Sequence, residues 1–144
     1  MVLERTGESL ESLKLFNRIL EDISEETNSI FRRWCLLCYL NKGLITAREA
    51  KIFEGINILK EGISIYADDV EVYTKRILKK SLREKAFLEM KVGEYETALM
   101  TIEEGLSATD EDSFYEGEQK GYFLYINWKF WGFSIVHMMR LMIH

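Results

Sequence analysis

The sequence lacks proline altogether and has only two histidines and two cysteines among its 144 residues. Proline breaks helix interiors and punctuates loops, so its absence favours long helices joined by short turns. Both histidines, His137 and His144, lie near the C-terminus. Residues 1–136 therefore lack histidine, the commonest general base and the commonest metal ligand. This absence disfavours histidine-based catalysis and histidine-containing metal sites.

Positive charge is also scarce, because the net charge is −5 and the sequence pI is near 5.2. A general nucleic-acid binder needs a cationic surface to neutralise phosphates, so this class is disfavoured. Apolar residues make up 47% of the chain and charged residues 30%. This composition and length predict one folded domain rather than a disordered chain.

The two cysteines form the short motif Cys35-Leu-Leu-Cys38. Two cysteines are too few for a disulfide framework, and residues 1–12 contain three glutamates and no apolar run typical of a signal peptide. The spacing resembles a redox or zinc pair, but two further metal ligands are not nearby. On a helix both thiols share one face, so we expect buried core residues in an intracellular protein.

The C-terminal segment 121–144 contains Lys129 and Arg140 but no acidic residue, and thirteen of residues 121–139 are large and apolar or aromatic. As a helix, residues 121–139 would span roughly 28 Å, close to the thickness of a bilayer core. We therefore predict a C-terminal membrane anchor. The alternative is an amphipathic helix that caps the domain or lies at a membrane interface. The predicted anchor residues are Tyr122, Phe123, Leu124, Trp128, Trp131, Phe133, Ile135, Val136 and Met139.

Apolar residues recur at spacings of three and four along the rest of the chain, which predicts an all-α fold. The predicted helices cover residues 10–23, 27–39, 46–66, 69–92 and 95–106. Thr46 with Glu49 has the pattern of a capping box at the start of the third helix, and Asp68 or Asp69 is predicted to cap the fourth. Gly93 is predicted to end the fourth helix.

Residues 91–106 look like the turn and second helix of a tetratricopeptide repeat, and a weaker copy lies upstream. Gly93 permits the turn, Tyr95 wedges against it, and Ala98 is small where two helices approach. In the upstream copy, Trp34 lies on the first helix, and Gly55 on the second helix takes the place of Ala98. The predicted fold is thus a tetratricopeptide-like superhelix of antiparallel hairpins with a C-terminal hydrophobic helix.

Several segments, in order, resemble the mitochondrial fission 1 protein family. They are Leu13-Lys-Leu-Phe16, Phe31-Arg-Arg-Trp-Cys-Leu36, Ile52-Phe-Glu-Gly-Ile-Asn-Ile-Leu59 and Glu94-Tyr-Glu-Thr-Ala-Leu99. The chain departs from the family pattern in a longer loop expected after Tyr39 and in an aromatic C-terminus. The resemblance implies an N-terminal arm helix (1–24), a helical domain of two hairpins plus a cap (25–120) and an anchor (121–144).

The resemblance also implies a function. It implies a non-enzymatic receptor on the mitochondrial outer membrane, and also on peroxisomes, that faces the cytosol and recruits adaptors and a dynamin-related GTPase. No cofactor is expected, and no phosphate-binding loop, zinc-protease motif or nucleophile elbow occurs. A homodimer remains open. The alternative function is a soluble tetratricopeptide-like scaffold or chaperone cofactor.

The first helices of stacked hairpins line a concave face that binds peptides. The register predicts an apolar groove with basic edges, suited to an amphipathic helix with acidic flanks; its residues are Ile30, Arg33, Leu37, Leu40, Lys80, Arg83, Phe87 and Met90. The alternative is that the apolar members are ordinary core. In the arm, Leu10, Leu13 and Phe16 are predicted either to plug the groove or to dock permanently as a capping helix.

Overall fold

The computed structural model describes residues 2–23 and 28–108, and the predicted anchor lies outside this part of the chain. The described residues form five α-helices and no strand, which confirms the all-α prediction. The helices are α1 (Val2–Ile23), α2 (Ser29–Arg48), α3 (Ile52–Tyr66), α4 (Val72–Lys91) and α5 (Tyr95–Ala108). The chain divides into two compact units, Met1–Ser81 and Leu82–His144.

The core of the first unit joins side chains from α1, α2, α3 and the N-terminal half of α4. Its buried members are Leu20, Cys35, Leu36, Cys38, Tyr66 and Leu78. From α1, Phe16 and Ile19 pack against this cluster alongside Leu20. The arm helix is therefore docked on the unit through its C-terminal half, whereas Leu10 stays exposed and Leu13 is partly buried.

Helices α2 and α3 approach each other closely because glycines occupy their contact. A Cβ atom placed on Gly55 would lie 2.7 Å from the Gly43 carbonyl oxygen and 2.8 Å from the Cβ of Ala47. A Cβ on Gly62 would lie 2.6 Å from the Cβ of Tyr39. These separations are shorter than any real side chain tolerates, so only glycine allows this packing.

Helix α2 is nine residues longer at its C-terminus than its sequence pattern predicted. The expected loop after Tyr39 is absent, because residues 40–48 continue the helix. The prediction that Thr46 caps the third helix is therefore wrong: Thr46 is buried inside α2, and α3 begins after Lys51 without a side-chain cap. Gly43, which the sequence predicts to lie in a loop, instead belongs to α2 and packs against α3 together with Ala47.

The ends of α2 and α4 have the same hydrogen-bond pattern. After α2, Ala50 N–H donates to the Ala47 carbonyl and Lys51 N–H to the Thr46 carbonyl. After α4, Gly93 N–H donates to Met90 and Glu94 N–H to Glu89. Both are Schellman motifs, whose penultimate residue adopts a positive φ. Here Ala50 has φ +66° and Gly93 has φ +82°, so Gly93 ends α4 as predicted.

Helix α4 begins with a cap supplied by Glu71 rather than by Asp68 or Asp69. The Glu71 carboxylate accepts hydrogen bonds from the backbone N–H of Thr74 at 2.7 Å and from its hydroxyl at 2.9 Å. Asp69 acts one step earlier, where its carboxylate accepts from the N–H of Glu71 at 3.0 Å. The carboxylates of Asp69 and Glu71 therefore order the turn before α4, one after the other.

The second unit packs the C-terminal half of α4 against α5. Ala86 and Ile102 are fully buried, as is Ala98, and Phe87, Met90 and Leu106 pack around them. A buried polar network also joins the two helices. Lys85 Nζ donates to the Thr101 hydroxyl at 2.9 Å and lies 3.3 Å from the Glu89 carboxylate, to which Thr101 donates at 2.7 Å. These bonds satisfy a charged pair inside the unit.

Candidate protein-binding surface

One face of α2 remains exposed and apolar. Ile30, Trp34 and Leu37 follow one another at helical spacings of four and three, so they lie on the same face. Their exposed fractions are 48%, 52% and 40%. Phe31 adjoins them and meets the Trp34 ring edge-to-face, with ring centroids 5.7 Å apart. We call these four residues the α2 face.

The α2 face is distinct from the side of α2 that fills the core. Cys35, Leu36 and Leu40 are all at most 1% exposed, so the helix already buries apolar side chains elsewhere. When a helix has a second apolar face that remains exposed, that face usually packs against another molecule. The α2 face is therefore the best candidate for a protein-binding surface among the described residues.

Two segments of the first unit carry basic residues and no acidic ones. Helix α2 contains no acidic residue, and neither do residues 72–81 of α4. The basic residues of these two segments are Arg32, Arg33, Lys42, Arg48, Lys75, Arg76, Lys79 and Lys80. The first unit thus combines an apolar face with segments of purely basic charge, although the whole chain is acidic.

Arg32 fastens the start of α2 to the turn before α4. Its Nε lies 2.9 Å from the Asp69 Oδ2, and its guanidinium carbon lies 5.1 Å from the centre of the Tyr66 ring. Burial alone would raise the pKa of Asp69, but hydrogen bonds from the Glu71 N–H and from Arg32 outweigh burial and hold that pKa below its usual value. Asp69 is therefore ionised at neutral pH and neutralises Arg32.

Arg33 makes a looser ion pair and stacks on an aromatic ring. Its Nη2 lies 3.5 Å from the Glu71 Oε1, and its guanidinium carbon lies 4.6 Å from the centre of the Tyr73 ring. Arg76 approaches the same ring at 5.3 Å. Desolvation would raise the pKa of Glu71, but its bonds to Thr74 and Tyr73 and the charge of Arg33 lower it. Two cations and one anion thus surround Tyr73.

The groove residues predicted for the first unit have different environments. Ile30 and Leu37 are exposed on the α2 face, Arg33 lies at its edge, and Lys80 is exposed on α4. Leu40 is only 1% exposed, so the core alternative is correct for this residue. Its position, ten residues after Ile30, turns its side chain toward the interior.

The groove residues predicted for the second unit are mostly part of its packing. Phe87 and Met90 lie against the Ala86–Ile102 cluster, which agrees with the core alternative. Arg83 is partly buried and its Nη2 lies 3.2 Å from the Glu84 carboxylate. On the α2 face, Phe31 and Trp34 are also exposed, although the helical register did not assign them to the groove. From the sequence, Trp34 is predicted only as a residue that defines the repeat.

The cysteine pair is part of the core. Cys35 and Cys38 are free thiols and buried, and the Tyr66 hydroxyl hydrogen-bonds Cys35. Burial raises the pKa of both thiols, that of Cys38 to about 11. Both thiols are therefore protonated at neutral pH and poor nucleophiles. The described residues contain no cluster of three or more potential metal ligands.

Sequence reasoning missed Phe31, Trp34 and Tyr73 as surface residues. The available signal was the excess of apolar residues in α2: positions 30, 34 and 37 are apolar in addition to the core positions 35, 36, 38 and 40. A single core-facing stripe does not need both sets. The placement of Tyr73 beside Arg33 depends on the packing of α4 against α2, for which the sequence has no local signal.

Comparisons of the chain with protein-family models, curated proteins and solved structures return no match. None of the five described helices has the length and apolarity needed to span a bilayer. Residues 121–144, which carry all the predicted anchor residues, lie outside the described part of the chain.

Proposed function

We propose that this protein is a non-enzymatic adaptor that binds a partner protein through the α2 face. In the full proposal it is a tail-anchored receptor on the mitochondrial outer membrane, and also on peroxisomes, that recruits fission machinery including a dynamin-related GTPase. The observation that carries the binding role is the exposed row of Ile30, Trp34 and Leu37 on an otherwise well-packed helix. Contiguous exposed apolar residues of this kind mark interaction sites.

The pairing of helices supports a tetratricopeptide-like architecture. Helices α2 and α3 pack closely through Gly43 and Gly55, and a three-residue turn at Gly93 joins α4 to α5. In such repeats the first helix of each hairpin lines the binding face. Helix α2 occupies the first position of its pair, and this is the helix that presents the exposed apolar row.

The membrane and organelle parts of the proposal rest on the sequence. Residues 121–139 have the length and apolarity of a bilayer span. The segments around Leu13, Trp34, Gly55 and Tyr95 resemble those of the fission 1 family in the same order. The absence of a dedicated catalytic motif agrees with a binding role.

The test compares two single substitutions that remove equally exposed aromatic rings from the first unit. Trp34→Ala alters the α2 face, whereas Phe53→Ala alters α3, where Phe53 is 59% exposed. Each full-length variant replaces the wild-type protein in its own cells, and the dynamin-related GTPase on mitochondria is quantified by imaging. We expect Trp34→Ala to reduce recruitment at least fivefold and Phe53→Ala to leave it unchanged.

Two results would contradict this proposal. Equal recruitment by wild type and Trp34→Ala, at matched protein levels and helical content, would exclude the α2 face as the binding surface. A cytosolic distribution of the full chain would exclude the anchored receptor and favour the soluble scaffold.

A further inference from the structure

We infer that the partner segment bound by the α2 face is an acidic amphipathic helix, and that Arg33, stacked on Tyr73 beside Arg76, binds a carboxylate of that helix. This inference rests on the proposed function, because it assigns the chemistry of the partner to the same face. The helical register places Arg33 at the edge of the predicted groove, and the structure adds the Tyr73 ring on which its guanidinium stacks.

The apolar geometry selects a helix as the partner. Ile30, Trp34 and Leu37 form a row about seven residues long, which matches the apolar stripe of a helix with anchors at positions i, i+3 or i+4, and i+7. Helix α2 already packs against one acidic amphipathic helix within the chain. Helix α1 contacts it through Phe16, Ile19 and Leu20, and α1 carries five acidic and three basic residues.

The basic residues of α2 and of the start of α4 favour an acidic partner. Helix α2 and residues 72–81 contain eight basic residues and no acidic one. Asp69 and Glu71, which pair with Arg32 and Arg33, are held by bonds within the turn before α4. An approaching acidic helix therefore gains attraction, whereas a basic helix is repelled.

Arg33 lies where such a helix would pass. It is three residues after Ile30 and four before Leu37, so it shares their side of α2. Its side chain remains 28% exposed, and the ion pair that its Nη2 makes with Glu71 is long at 3.5 Å. The second oxygen of Glu71 is occupied by Thr74. Arg33 therefore retains donors for a further carboxylate.

Tyr73 prepares the guanidinium of Arg33 for this role. The ring lies 4.6 Å from the Arg33 guanidinium carbon and is itself 53% exposed. Stacking on an aromatic ring restricts the arginine side chain without using its N–H donors. A planar guanidinium held in this way can bind a carboxylate with two parallel hydrogen bonds, which is the strong form of this interaction.

The inference is tested by selecting helical peptides that bind the full-length protein in detergent micelles. The displayed library fixes leucine at positions i, i+3 and i+7 of a helical scaffold and randomises the flanking positions. We expect peptides whose binding is lost in Trp34→Ala to be enriched in Asp and Glu at one flank. Replacing that acid by its amide in a selected peptide should weaken binding roughly tenfold or more on the wild-type protein.

Arg33→Gln should weaken the acidic peptide to the same extent but leave its amide version unchanged. Lys60→Gln, an exposed substitution on α3, is the matched control and should change neither affinity. The peptide substitution leaves the protein unaltered, so a folding defect in Arg33→Gln cannot mimic the result.

The inference is overturned if Trp34-dependent peptides show no acidic enrichment, or if the amide peptide binds the wild-type protein within twofold of the acidic one. In that case the α2 face of the proposed function still stands. If no selected peptide depends on Trp34, both the inference and the proposed binding face are wrong.

Discussion

Single atoms at the contact between α2 and α3 determine how closely these helices pack. The backbone oxygen of Gly43 occupies the space that a Cβ on Gly55 would need, and Ala47 blocks it from another side. Because backbone cannot move aside as a flexible side chain can, the strain of a larger residue must be relieved by separating the helices. Glycine at position 55 is therefore required by packing, although it is a poor helix former.

We expect Gly55→Ala to destabilise the protein by about 1–2 kcal/mol. Overpacking lowers the free energy of unfolding by about 1–3 kcal/mol, and the better helix propensity of alanine offsets up to about 1 kcal/mol of this loss. The measurement is urea unfolding followed by circular dichroism. Ser64→Ala, on an exposed position of the same helix, should change the free energy of unfolding by less than about 0.5 kcal/mol. An increase in stability for Gly55→Ala would contradict the close packing described.

The buried thiols predict a loss of stability in alkali. Burial raises the pKa of Cys38 to about 11, above the value of 9.0 of an exposed thiol. The unfolded chain then releases this proton above about pH 9 while the folded chain keeps it. The stabilisation is fully present below pH 9 and is lost as the pH rises toward 11, by about 1 kcal/mol per pH unit.

This prediction is checked by thermal unfolding between pH 7 and 11 in a reducing buffer. The melting temperature of the wild type should be constant to about pH 9 and fall above it. Cys38→Ala should show a shallower fall, because one of the titrating groups is gone; the burial-raised pKa of Tyr66 still contributes. Parallel curves for the two proteins would show that Cys38 does not titrate as described.

At the scale of helices and their ends, the same Schellman motif is built with two different residues. Its positive-φ position is Ala50 after α2 and Gly93 after α4. An L-residue with a Cβ pays about 1–2 kcal/mol in this conformation, whereas glycine does not. The end of α4 was recognisable in the sequence because of Gly93, and the end of α2 was missed because Ala50 carries no such signal.

We expect the two reciprocal substitutions at these ends to have opposite effects. Ala50→Gly should stabilise the protein by about 0.5 kcal/mol, because relief of strain exceeds the greater chain entropy of glycine. Gly93→Ala should destabilise it by about 1 kcal/mol. No atom lies within 4 Å of a Cβ on Gly93, so this cost is conformational rather than steric.

Differential scanning calorimetry of the two variants beside the wild type measures both effects. A lower melting temperature for Ala50→Gly, or an unchanged one for Gly93→Ala, would mean that these positions do not hold the left-handed conformation in solution.

At the scale of the whole molecule, the proposed adaptor combines the helical units with an aromatic segment at residues 121–144. The segment has no acidic residue, and a bilayer disfavours charge in its core far more than it disfavours aromatic side chains. Lys129 is the one charged residue within the predicted span of 121–139 and costs about 3 kcal/mol at the centre. Insertion therefore requires that the favourable transfer free energy of the apolar residues in this span exceed the cost of Lys129.

We expect the full chain to remain with membranes during alkaline carbonate extraction, because an inserted helix is not released by loss of surface charge. A truncated chain that ends at Lys120 should be found in the supernatant. The measurement is immunoblotting of pellet and supernatant from cells that express either form with an N-terminal tag. Release of the full chain by carbonate would contradict the anchor.

The sequence by itself determined the helical class, the turn at Gly93 and the small residues Gly55 and Ala98. Each of these has a local cause, since periodicity and glycine act through the chain immediately around them. Sequence also placed Ile30, Arg33 and Leu37 on one side of a helix by spacing alone.

Only the tertiary structure decided that α2 extends to Arg48, that Leu40 is core and that Trp34 is exposed. It also brought Tyr73 of α4 beside Arg33 of α2, forty residues earlier in the chain. These features depend on which neighbouring helix covers a given face. That choice is made by packing among distant segments. The excess of apolar residues in α2 indicates two apolar faces, but it does not indicate which of them a neighbouring helix covers.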